Sequence, residues 1–138
     1  MVVYPLDGWN TFIDVADATT RLTELGSGSK WDPLTTAEKE AMLHKSAAII
    51  NATCNLNTTC QFDVAQVLLI QGDLENNGKY LSMTDTSVKY KSAKVGSLDV
   101  EYNLTESGEV LLPPVVKSLL SSCLKNSSVP MAKGFTLA

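Results

Sequence analysis

One stretch of this chain departs from the periodicity of the rest. In "KVGSLDVEYN", residues 94–103, Leu98, Val100 and Tyr102 alternate with Asp99, Glu101 and Asn103. Period-two alternation is the mark of a strand with one covered face. The flanking sequence follows helical spacing, so the fold has to place a ribbon within a mainly α protein. Residues 88–104 read as a β-hairpin turning near Gly96. One register pairs Tyr90 with Tyr102, Val88 with Leu104 and Lys91 with Glu101. It gathers the large apolar groups on one face and sets a charge pair on the other. It also puts Gly96 in the middle of a three-residue loop, where glycine usually takes the third place.

A two-stranded ribbon alone is marginal in water. Ordering the backbone costs on the order of 1–2 kcal/mol per residue. A fully buried apolar side chain returns roughly 1.5–3 kcal/mol, and only every second residue faces the covered side. The apolar face therefore has to dock, either on the chain's own helices or on another chain. The same argument applies to the C-terminal stretch, residues 127–138, where Pro130 and Gly134 exclude a helix yet Met131, Phe135 and Leu137 are apolar.

The helical part reads as a small bundle of about four helices. Asp14 caps the first, with Asp17 in its first turn and Val15, Ala18, Leu22 and Leu25 at helical spacing until "GSGS" at 26–29. Phe12, Ile13 and Trp31 flank it as packing residues. The second opens with a capping box, Thr35 and Glu38, and runs to about Thr53. Met42, Ile49 and Ala52 form one stripe, with Leu43, Ala47 and Ile50 beside it; His44 lies among Lys and Glu and reads as solvated. The third runs from near Thr59 to about Glu75 and stops at "NNG", with Phe62, Ala65, Leu69, Val64, Val67 and Leu68 as a broad apolar face. The fourth starts at Pro114, and Val116, Leu119, Leu120, Cys123 and Leu124 make a core-facing stripe that ends at Asn126. The expected layout is a helical domain over 1–126, with the hairpin between the third and fourth helices, and an extended tail over 127–138.

At 138 residues the chain suits one domain with a modest core. Its formal charge of −4 does not suggest an autonomous nucleic-acid binder. No apolar run approaches the roughly 18 residues of a membrane span, and "MVVYPLDGWN" does not have the pattern of a signal peptide. Four N-x-S/T sequons, at Asn51, Asn57, Asn103 and Asn126, are read as chance in a chain rich in Asn, Ser and Thr. Cys54, Cys60 and Cys123 fit no zinc spacing and are expected to be reduced and partly buried.

Charge is unevenly spread. Lys79, Lys89, Lys91 and Lys94 face only Asp85 between residues 79 and 94, while acids dominate elsewhere. A basic arm on an acidic body can steer head-to-tail contact between copies. It also serves as the solvated lysine face that keeps strand edges apart. There is no Gly-rich phosphate loop, no persuasive Ser–His–Asp set around the single histidine, and no D-x-D or E-x-x-H spacing. The reading is of a protein that is not an enzyme and has no catalytic, metal or cofactor residues.

Several stretches together resemble one family. "NTFIDVADATTRLTELG" is similar to an opening of the form N-S-Y-x-S-V-A-D-A-x-x-Y-L, and "LTTAEKEAMLHKSAAIIN" to a segment L-x-x-x-x-K-E-A-x-L-x-x-A. "VKYKSAKVGSLDVEYN" resembles x-K-x-x-x-V-G-x-L-x-V-x-Y, and "LPPVVKSLLSSCL" a closing P-x-V-x-x-L-L helix. Their order over about residues 10–125 resembles tailed-phage head–tail connector (adaptor) proteins, including those described as DnaT-like single-stranded-DNA-binding proteins. The W-P-R-type segment of many relatives is missing before the third helix, and the stretch beyond Asn126 has no counterpart.

The resemblance implies a structural virion protein, made in the host cytoplasm. It would form a ring of about twelve copies beneath the portal protein, receive the next neck or tail component, and pass DNA through its lumen as non-specific cargo. An acidic body suits a channel along which DNA slides. On this reading Val88, Tyr90, Lys91, Lys94, Leu98, Val100, Tyr102, Met131, Phe135 and Leu137 contact a neighbouring subunit or the portal. Two other readings compete. A single-stranded-DNA-binding replication factor would use Tyr80, Tyr90 and Tyr102 beside the lysines as stacking groups. An unrelated helical interaction module would be a monomer with its hairpin folded back on its own bundle.

Overall fold

The computed structural model describes residues 1–81, 89–95, 98–104 and 111–125, the two middle segments as backbone alone. The described residues are mainly helical, in the order α1 (Val15–Glu24), α2 (Gly28–Trp31), α3 (Thr36–Thr53), α4 (Phe62–Glu75), β1 (Lys89–Val95), β2 (Leu98–Leu104) and α5 (Pro114–Leu119).

Local chemistry explains the helix starts. The Asp14 carboxylate accepts from the Asp17 amide at 2.8 Å and caps α1. In the capping box of α3 the Glu38 amide donates to Thr35 Oγ1 at 3.1 Å and the Thr35 amide to Glu38 Oε1 at 2.9 Å. The end of α1 is a Schellman turn: Gly26 sits at φ 88, its amide bonded to the Thr23 carbonyl and the Ser27 amide to that of Leu22. That turn does not end helical structure as "GSGS" suggested. Gly28 begins the short α2, which brings Trp31, fully buried, back onto α1, where its indole Nε1 donates to Thr19 Oγ1 at 2.9 Å. The fifth helix is this one.

The core lies between α1, α3 and α4, with α5 closing one side of α4. From its middle on, α3 is buried almost all round, at Leu43 and then at every position from Ser46 to Ile50, as expected of a central helix. Gln66 is a buried polar residue on α4 and is fully used. It accepts from the Phe12 amide at 2.8 Å and donates to Thr11 Oγ1, the Leu43 carbonyl and Ser46 Oγ. Gly72 lets α5 approach: a Cβ there would stand 2.7 Å from Pro113 Cγ.

Two helix boundaries differ from expectation. The helix expected from Thr59 begins at Phe62, because Thr58 closes a turn on the Asn55 carbonyl instead of capping. The helix expected to run to Asn126 ends at Leu119. Beyond it the chain leaves helical geometry to pair with the end of α3: Asn55 N donates to Cys123 O and Lys125 N to Thr53 O, both at 2.8 Å. The cysteines are not all reduced either, since Cys60 and Cys123 are bonded and Cys54 alone is free. The spacing of 63 residues matches no local motif, so only the fold brings the pair together.

The ribbon is also different. The hairpin expected in the Tyr90–Tyr102 register is not what the structure holds. β1 and β2 run antiparallel and one residue out of step with it: Lys91 pairs with Tyr102, Ala93 with Val100, Lys94 with Asp99 and Val95 with Leu98. Tyr90 falls opposite Asn103, and Leu104 opposite Lys89. The turn expected near Gly96 lies outside the described residues. Val88 and the tail over 127–138 lie outside the described residues.

Candidate interaction surface

Among the described residues the two strands form a sheet of their own, each with one partner, between α4 and α5 in the chain. Both lie against α3. The bundle therefore supplies a cover for the ribbon on the side that meets α3, the first of the two docking options and the arrangement expected of an interaction module with its hairpin folded back. Among the described residues α3 is the helix that approaches both strands, and each strand has the other as its one ladder partner.

Of the residues expected at a contact, Tyr90, Lys91, Lys94, Leu98, Val100 and Tyr102 fall within the strands. The register does not bring them together as one set. Lys91 stands opposite Tyr102, whereas Tyr90 belongs to the alternate set of positions. Lys91 is not opposite Glu101; that place belongs to Ser92, and the opposed charges are Lys94 and Asp99. Met131, Phe135 and Leu137, like Val88, are outside the described residues.

A second surface was not anticipated. The N-terminal segment folds back on itself, with Tyr4 N bonded to Thr11 O and Asn10 N to Val2 O, each at 2.8 Å. It carries an aromatic row, Tyr4, Trp9 and Phe12, whose last ring stacks on Phe62 at 5.4 Å. Phe12 and Phe62 are buried, Tyr4 and Trp9 half-buried, and Leu6 beside them is 64% exposed. Tyr4 OH donates to the Leu56 carbonyl, and the Asn10 carbonyl meets His44 Nδ1 at 3.3 Å. His44 is therefore half-buried and engaged, not solvated as its neighbours in sequence implied. The aromatic spacing of the first dozen residues was the available signal; it has neither helical nor strand period, so periodicity passed it over. Val115, 53% exposed on α5, is another apolar group at the surface.

Charged groups tie elements together at the surface. Arg21 pairs with Asp63 at 3.2 Å, and Lys30 with Glu75 at 2.6 Å. Hydrogen bonds from Lys30 and Ser27 hold the Glu75 carboxyl below its ordinary value. Asp73 is buried, and burial pushes its carboxyl up although it accepts from the Tyr80 and Leu81 amides at 2.9 and 2.8 Å. Burial likewise raises the Cys54 thiol, which leaves it unreactive. Among the described residues no group of three His, Cys, Asp or Glu could hold a metal, and no helix is long and apolar enough to cross a membrane.

What the arrangement offers is a two-stranded ribbon and an apolar N-terminal corner, on a bundle in which, among the described residues, no buried side-chain polar atom goes without a partner. Comparison with protein-family models, with curated proteins and with solved structures finds no match to this chain.

Proposed function

We propose that this chain is a head–tail connector subunit of a tailed phage, a structural protein that assembles with copies of itself into a ring beneath the portal protein. The next neck or tail component docks on the ring and DNA passes through its lumen. The observation that carries the reading is the coincidence of the family-like stretches with discrete elements. Residues 10–26 make the cap and body of α1, 34–51 most of α3, 89–103 the ribbon, and 112–124 α5 with its closing turn.

The charge pattern supports the same reading. β1 holds Lys89, Lys91 and Lys94 without an acid, while β2 holds Asp99 and Glu101 without a base. Successive copies that meet edge to edge would set unlike charges together, and a repeated heterologous contact closes into a ring when its rotation allows. Because the ribbon lies on its own α3, this contact would use its outer edges and the face away from α3.

Negative-stain electron microscopy of the purified chain, with and without single-stranded DNA, tests the proposal. Closed rings with an open centre, unchanged by DNA, are expected. Dispersed monomers that bind single-stranded DNA tightly and release it with salt would favour the replication-factor reading instead.

A further inference from the structure

All three cysteines gather where the end of the described chain returns to the α3–α4 connection. Cys60 precedes α4 and Cys123 follows α5, and their bond joins residues 63 apart with 6.5 Å between Cα atoms. Cys54 pairs with Leu124 in an isolated antiparallel bridge. Around the sulfur bond the closing segment is held by the two main-chain bonds Asn55 N to Cys123 O and Lys125 N to Thr53 O, whose donor residues are both exposed. α5 has only six residues, too few to persist without tertiary support.

We propose that Cys60–Cys123 is a redox latch for the segment Ser121–Lys125: oxidised, it clamps that segment across residues 53–60; reduced, it lets the segment lift while α1, α3 and α4 stay folded. The chemistry is reversible thiol–disulfide exchange. In closing, the two thiols give up two protons and two electrons, and a low-molecular-weight disulfide accepts the electrons as its own S–S bond breaks to yield two small thiols. In opening, a dithiol attacks the sulfur of half-exposed Cys60, displaces the Cys123 thiolate and then resolves the mixed disulfide, itself becoming a disulfide. Ser122, exposed and with its Oγ 3.6 Å from Cys60 Sγ, leaves the bond within reach of a small reagent. Cys54 is 1% exposed and stays a thiol throughout. In a reducing cytosol the latch stands open, and it closes where the surroundings are oxidising. The latch does not depend on the connector reading, because it works in a single copy.

The test uses the full chain, oxidised with glutathione disulfide, then compared with and without dithiothreitol. Iodoacetamide mapping should label no cysteine in the folded oxidised protein, Cys54 alone once it is unfolded, and all three after reduction and unfolding. Hydrogen exchange in peptides covering 53–60 and 121–125 should accelerate at least about tenfold on reduction, with peptides of α1 and α4 unchanged. The Cys60→Ser variant should show the fast pattern with or without dithiothreitol. Labelling of Cys60 or Cys123 in the oxidised protein, a bond to Cys54, or exchange in the two peptides that ignores reduction would overturn the proposal. So would an acceleration spread evenly through all helices, which describes a global staple instead of a latch.

Discussion

At the scale of single residues, the two buried polar groups on α4 behave differently. Gln66 satisfies four partners from two parts of the chain, the N-terminal segment and α3, so its loss orphans the Phe12 amide. Replacing it with Leu should cost about 2–4 kcal/mol, read as a lower urea midpoint with an unchanged slope. Asp73 contributes through geometry and costs stability through its charge. Its folded pKa is raised, so the stability linked to its proton is complete below the unfolded value and is lost as pH rises through the folded value. Asp73→Asn keeps an acceptor for the Tyr80 and Leu81 amides without the charge. The variant should match or exceed the parent in stability at pH 7, and its advantage should shrink as pH falls toward about 4. The Lys45 charge offsets part of this cost, so neutralising Lys45 should widen the difference. Neither role was legible beforehand. A Gln amid Val and Leu looks like an interruption of an apolar face, and an Asp before "NNG" looks like surface, until the chain folds partners onto them.

At the scale of elements, caps and stops were readable because they are encoded within a few residues: Asp14 for α1, Thr35 with Glu38 for α3, Asn77 and Gly78 at positive φ after α4. Thr35→Ala should cost about 1 kcal/mol, and circular dichroism with thermal melting would register it. Features set by distant partners were not readable. The stripe through Cys123 and Leu124 has helical spacing, yet α5 stops at Leu119 because the following residues bond to Thr53, Asn55 and Cys60. The strands were visible in the alternation, but apolar patterning alone set their register one residue off, since Lys91 pairs with Tyr102 and not with Glu101. Gly72 marks the contact between α4 and α5. Gly72→Ala would force Pro113 back from 2.7 Å and should cost about 1–3 kcal/mol by overpacking, measurable by urea unfolding; full stability in that variant would mean that α5 is not seated on α4 there.

At the scale of the whole molecule, a mainly helical bundle carries a ribbon seated on its central helix, with lysines on one strand and acids on the other. The sequence suggested an arm that must dock on the chain's own helices or on another chain. In the fold α3 lies against both strands, so on the proposed connector reading the contact between copies falls to the ribbon's edges and the face away from α3. Contacts steered by exposed charge weaken with salt, so assembly should fall off as ionic strength rises, and the triple variant K89E/K91E/K94E should assemble poorly while melting like the parent. Sedimentation velocity across a concentration series, at low salt, tests the multi-copy account most directly. The account predicts a discrete multimer of about twelve subunits that the triple variant does not form; a parent chain that sediments as a 14.9 kDa monomer at every concentration would contradict it.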